Sequence, residues 1–179
     1  MTGSAKSNAR ILAGECFCRA VSYAVADEFA YAMNCHCSNC RRTTGAAFKP
    51  FAGIARDKFG VIRGADNLTM YGDEANHDAH CRRCGSLLYS VVRDGAFVHV
   101  AMGTLVDDPS IRPTAHIFVG SRRPGLRSQT TCRNISNIAR QAERPLGEYM
   151  CAAGCLYVVG EPCRKTWSAG AEPLRRWPD

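Results

Sequence analysis

Seven cysteines in three close groups constrain this chain more than any other feature. Cys16 and Cys18 are spaced C-x-C, Cys35, Cys37 and Cys40 are spaced C-x-C-x-x-C, and Cys81 and Cys84 are spaced C-x-x-C. Sulfurs at such spacings converge on one ion about 2.3 Å away, and zinc accepts tetrahedral thiolate sets without a redox penalty. A closed structural site consumes four ligands, whereas a zinc that does chemistry is usually held by three protein ligands with one position left open. The two pairs and the triplet therefore divide into Cys16, Cys18, Cys81 and Cys84 as a closed site and Cys35, Cys37 and Cys40 as an open one, with two zinc ions per chain. Joining the triplet to one pair strands the other pair, and an iron-sulfur cluster on four cysteines leaves the triplet unexplained. Reduced cysteine as a small core residue is common singly and strained for three clustered motifs.

The compartment matters to that reading. The sequence has no apolar run long enough for a membrane span, and Met1–Arg10 lacks the apolar stretch of a secretory signal, so a cytoplasmic location is expected. There the eleven cysteines stay reduced, which favours metal ligation over bridging. The formal charge of +7 points towards nucleic acid only if it sits on the main domain. Residues 1–121 hold 13 Lys and Arg against 11 Asp and Glu, while residues 122–179 hold 10 against 5. The basicity belongs to the tail, so a nucleic-acid partner has little electrostatic support and a homo-oligomer is left open.

The length of 179 residues suits one domain with extensions. Residues 1–10 read as a disordered N-terminus and 11–121 as many short strands. Val21, Tyr23 and Val25 alternate with small or polar residues, the period of a half-buried strand. Ser86–Val92 and Ala96–Leu105 are β-rich runs around Arg93, Asp94 and Gly95, a hairpin pattern, and His116–Val119 supplies another strand. Between Cys40 and Tyr71, Pro50, Gly53, Gly60 and Gly64 leave no room for a long helix. Residues 122–179 form an atypical tail, punctuated by proline and glycine, in which only Ile135–Arg144 has a helical pattern. The expected class is mainly β, small and irregular.

Five segments in series carry a resemblance: Gly14-Glu15-Cys16-Phe17-Cys18 with Val21 and Tyr23; Cys35-His36-Cys37-Ser38-Asn39-Cys40-Arg41 with Gly45; Cys81-Arg82-Arg83-Cys84-Gly85; Gly103-Thr104-Leu105 with Asp107-Asp108-Pro109; and Pro113 with His116-Ile117-Phe118-Val119. Together they resemble the glutathione-dependent formaldehyde-activating enzyme family, which also includes centromere protein V. The resemblance runs from about Ile11 to Ser121. It implies an Mss4-like zinc-binding fold of short antiparallel strands, a structural zinc on the flanking pairs, and a second zinc on the triplet where a thiol such as glutathione binds. The implied activity is that of a carbon-sulfur lyase acting on a thiol adduct such as S-hydroxymethylglutathione. Two alternatives are a non-catalytic zinc module for a protein or nucleic-acid partner, as the centromeric relative suggests, and a glutathione carrier without turnover. Arg19 stands where the family usually has glycine, and His80 where an aromatic residue commonly precedes the C-x-x-C.

Around the open site, Arg41 and Arg42 are candidates for binding the carboxylates of glutathione, since guanidinium pairs well with carboxylate, and solvated surface is the equal alternative. His36 reads as a packing residue between two thiolates, His99 as a satisfied strand residue, and His77 and His80 as bystanders to the Cys81 pair. Family members tend to finish with a segment like Asp-Asp-Leu-Pro-Gln-Tyr, absent here. Back-translation of Ser128–Asn137 from the third base of each codon permits Ala-Asp-Asp-Leu-Pro-Gln-Tyr-Leu-Glu. The expectation is a frame change near Ser121 or Arg122, which makes Cys132, Cys151, Cys155 and Cys163 incidental; the alternative is a genuine extension.

Overall fold

The computed structural model describes residues 10–125 and 132–135. The expected N-terminal disorder, the segment at Ser128–Asn137 expected to be frame-shifted apart from residues 132–135, and most of the expected helix at Ile135–Arg144 lie outside them. The described residues form eleven strands in chain order: β1 Ile11–Glu15, β2 Ser22–Ala26, β3 Tyr31–Cys35, β4 Lys49–Ala55, β5 Phe59–Arg63, β6 Leu68–Gly72, β7 His77–Cys81, β8 Leu87–Val92, β9 Phe97–Ala101, β10 Ala115–Ile117 and β11 Arg133–Ile135. Among the described residues one α-helix, α1 Ser38–Thr44, stands between β3 and β4. The chain is mainly β, as expected. No helix among the described residues is long and apolar enough to cross a membrane.

Two sheets arise from this order. The smaller is β1-β2-β5, and the larger runs β11-β10-β3-β4-β9-β8-β7-β6. Pairing is antiparallel except at one edge, where β10 lies parallel to both β3 and β11. A parallel pair needs a long connection, and nearly eighty residues separate β3 from β10. Ile135, expected to begin a helix, is instead the last residue of edge strand β11, opposite Ile117. Pairing with an existing edge overrides a weak local helical pattern.

The alternation along β2 has the expected result: Tyr23 and Val25 are buried while Ser22 and Ala24 are half-exposed. They join Leu12 and Phe59 to face Ile54, Tyr89, Val91, Val98 and Val100 of the larger sheet, and ring contacts from Phe59 to Tyr23 at 5.1 Å and to Tyr89 at 4.6 Å bridge the two layers. Tyr23 lies over Gly14, its register partner, where a Cβ would meet the ring at 2.0 Å, so only glycine admits it. The hairpin of β8 and β9 turns through Arg93, Asp94 and Gly95, all at positive φ. Its second strand stops at Ala101 rather than running to Leu105, because Met102–Thr104 winds into a 3-10 turn held by the Thr104 hydroxyl donating to the Ala101 carbonyl at 2.8 Å.

His99, in β9, is half-buried, with Nε2 2.7 Å from the Tyr31 hydroxyl and its ring 4.2 Å from that of Phe51. Burial first, then the charges of Lys49 and Arg93, holds its imidazole well below the usual value of 6.5. A base depressed in the folded state takes up a proton more readily when unfolded, so its contribution is complete above about pH 6.5 and is lost as pH falls below that value. Between about pH 6.5 and 5 this residue is expected to contribute to a loss of stability. Thermal melts across that range should show a shallower pH dependence in His99→Gln than in the parent; parallel curves would exclude His99 as the responsible group.

Two candidate metal centres

Cys16 and Cys18 follow β1 in a tight turn. The Arg19 backbone N–H donates to the Cys16 carbonyl at 2.9 Å, and the Val21 N–H donates to Cys16 Sγ at 3.3 Å. Cys81 ends β7 and opens a matching turn in which the Gly85 N–H donates to the Cys81 carbonyl at 2.8 Å. One residue past each second cysteine the backbone is left-handed, at Arg19 with φ 60° and at Gly85 with φ 76°. Glycine adopts that conformation without penalty, whereas a residue with a Cβ pays roughly 1 kcal/mol, which is the physical cost of Arg19 at a position suited to glycine. Glu15 accepts an ion pair from Arg19 at 3.3 Å, across an exposed surface.

The two turns bring Cys16, Cys18, Cys81 and Cys84 together with all four sulfurs within 4.8 Å of one another. Cys18 Sγ lies 3.7 Å from Cys16 Sγ and 3.8 Å from Cys81 Sγ. A tetrahedron with metal–sulfur bonds of about 2.3 Å has edges of about 3.8 Å, so the set fits a four-coordinate thiolate centre. Cys16 and Cys81 are also buried members of the main core. Burial opposes ionisation of Cys84, but hydrogen bonds from Ser86 and neighbouring backbone outweigh it and bring the thiol down to about 6. Against a backbone hydrogen bond at Ala20, desolvation and the three neighbouring thiols push Cys18 up to about 11.

The second cluster forms where β3 hands over to α1. Cys35 closes the strand, Cys37 is the N-cap residue whose sulfur accepts the Cys40 backbone N–H at 3.3 Å, and Cys40 lies in the first turn. Their sulfurs also lie within 4.8 Å of one another. Cys35 is buried, and hydrogen bonds with Cys37 and Cys40, then burial, raise its thiol far above the ordinary range. Three thiolates at that separation require a cation, so this donor set too fits a thiolate-bound metal, with three protein ligands rather than four.

The remaining candidates fall outside both sets. His36 is fully buried, with Nε2 2.7 Å from His116 Nδ1 and its backbone N–H donating to the Ile117 carbonyl at 3.0 Å. It packs the triplet loop against β10. His77 Nδ1 meets the Asp73 carbonyl at 2.9 Å, and His80 Nδ1 meets the Gly85 carbonyl at 3.2 Å. Arg41 Nε donates to the His36 carbonyl at 3.0 Å, and Arg42 donates to the Ser38 carbonyl at 3.3 Å and to Asn39 Oδ1 at 3.0 Å. Both residues follow Cys40 on α1, and Arg42 is exposed. Cys132 belongs to neither cluster and donates to the Pro113 carbonyl at 3.0 Å; Cys151, Cys155 and Cys163 lie outside the described residues.

Sequence reasoning missed a buried polar group beside the triplet. Lys49, the register partner of Cys35, is only 3% exposed and donates to Ser90 Oγ at 2.6 Å, with Asp78 Oδ1 at 3.7 Å. A lysine within an apolar strand was its one local signal; the acidic partner is 29 residues away in the chain.

Among solved structures, a crystal structure of a Rhodobacter sphaeroides protein from structural genomics is 31% identical, with 57% of this chain and 92% of that chain covered, at a TM-score of 0.46. No curated protein matches this chain. Residues 11–121 match the sequence profile described as glutathione-dependent formaldehyde-activating enzyme. With that profile extending over more than half of the sequence and both cysteine clusters within it, the chain belongs to the glutathione-dependent formaldehyde-activating enzyme family.

Proposed function

We propose that the protein is a zinc-dependent carbon-sulfur lyase that makes or breaks the glutathione adduct of a small aldehyde, such as S-hydroxymethylglutathione. The observation that carries this reading is the unequal division of seven convergent thiols into four and three. Cys16, Cys18, Cys81 and Cys84 would hold a structural zinc, and Cys35, Cys37 and Cys40 a second one. When bound at the triplet, zinc supplies a Lewis-acidic position that favours the thiolate form of an incoming thiol.

The chain's own residues then do the binding and orienting. Cys37 and Cys40 are half-exposed while Cys35 is buried, so the triplet is approached from the side of α1. Arg41 and Arg42, which follow Cys40 on α1, would suit the carboxylates of a glutathione-sized thiol. In the forward direction the thiol sulfur bonds to the aldehyde carbon, the carbonyl electron pair moves to oxygen, and the thiol proton ends on that oxygen. The reverse step breaks the same bond and regenerates both reactants. The soluble-thiol substrate also accords with a cytoplasmic location.

The test uses the full chain loaded with zinc. It is expected to hold about two zinc ions and to accelerate equilibration of glutathione with formaldehyde, followed by NMR exchange of the adduct methylene signal. A protein with two zinc ions that binds glutathione without any acceleration would be a carrier, and the lyase reading would fall.

A further inference from the structure

We propose that Thr43 and Asp78 are positioning residues for the cysteine triplet, fixing α1 so that Cys40 meets Cys35. This rests on the reading that the triplet holds zinc. The helix has seven residues and buries none of them. A helix that short does not sustain itself, and at its N-terminal end only Cys37 and Cys40 pack against the cluster of Met33, Cys35 and Phe51. Its last turn is tied instead by Thr43, whose hydroxyl donates to Asp78 Oδ2 at 3.3 Å and lies 3.3 Å from His80 Nε2.

Asp78 is a rigid anchor because its surroundings leave it no freedom. Its Oδ1 accepts the Ser90 hydroxyl at 2.5 Å and faces the Lys49 ammonium at 3.7 Å, and both partners are buried in the larger sheet. Ser90 and Lys49 are themselves joined at 2.6 Å. Asp78 lies in β7, opposite Ser90 in the register with β8. The position of Thr43 is therefore inherited from the core sheet. Cys40 and Thr43 are three residues apart on α1 and share one face, so holding the hydroxyl over Asp78 turns Cys40 towards β3. The tether orders the donor set before metal arrives, and less ordering cost is left for the binding step.

The experiment compares the full-length parent, Thr43→Val, which keeps the branched shape without the hydroxyl, and Thr43→Ser, which restores it. Zinc is titrated against a chromophoric chelator, and the triplet's constant is identified as the one that disappears in Cys37→Ala. Loss of a hydrogen bond to a charged group is expected to weaken the triplet's zinc about tenfold in Thr43→Val, with the other site unchanged and Thr43→Ser close to the parent. Equal weakening of both sites, or no change at either, overturns the proposal. A parent that takes up a single zinc ion defeats the metal assignment instead. In that case amide hydrogen exchange across α1, measured with the one zinc bound, still decides: exchange about tenfold faster in Thr43→Val supports the tether, and unchanged exchange removes it.

Discussion

Cys81→Ser is expected to abolish cooperative folding of residues 11–121, not merely to weaken it. Cys81 is 1% exposed, belongs to the main core, and ends β7 at the turn that completes the four-thiol set. Structural zinc sites in small peptides release about 10–16 kcal/mol on binding, while a domain of this size is stable by about 5–15 kcal/mol. Serine is a poor zinc ligand, and its hydroxyl would be left buried among apolar side chains at a further cost of about 1–3 kcal/mol. Urea unfolding followed by near-ultraviolet circular dichroism should show no cooperative transition. A Cys81→Ser protein that unfolds sharply at the parent's midpoint would mean that the four-thiol set contributes nothing to the fold.

Cys37→Ala should separate the two centres. Its side chain is half-exposed, it caps a helix that buries none of its residues, and it takes no part in the four-thiol set. Losing the cap costs about 1 kcal/mol, a shift of a few degrees in Tm. One of two zinc ions should be lost, and adduct turnover should fall at least about a hundredfold, since a group that orients the reacting thiol is missing. Zinc analysis, thermal melts and adduct exchange by NMR read the three effects. Loss of both ions, or collapse of the fold, would make the triplet a structural site; full turnover with one ion would move the chemistry elsewhere.

These outcomes differ because the clusters sit differently in the fold. The four-thiol set joins the turn after β1 to the end of β7, so it links both sheets across the main core. The triplet lies at one end of β3 and depends on a short helix. Mutational effects should therefore be global at the first and local at the second, even though the donor atoms are the same.

Much of this was legible in the chain before folding was considered. A C-x-C or C-x-x-C turn brings its sulfurs together through local geometry, so the three motifs could be recognised as chelating, and alternation at Val21, Tyr23 and Val25 marked a buried strand face. Positive φ at Arg93, Asp94 and Gly95 likewise follows from a local turn signal. Other features depended on pairings that local sequence does not encode. Residues 133–135 became an edge strand because β10 offered an open edge, and the β9 run ended early because Thr104 bonded back to Ala101.

The sequence by itself determined which cysteines can act as chelating pairs and that the chain would build short strands, since both follow from spacing along the backbone. The count of ligands already grouped Cys16 and Cys18 with Cys81 and Cys84, and the fold brings the four together; only the tertiary structure decided that Lys49, Asp78 and Ser90 gather beneath α1. Those contacts join residues that are tens of positions apart, and strand register, which depends on how whole faces bury against one another, is what brings them within reach.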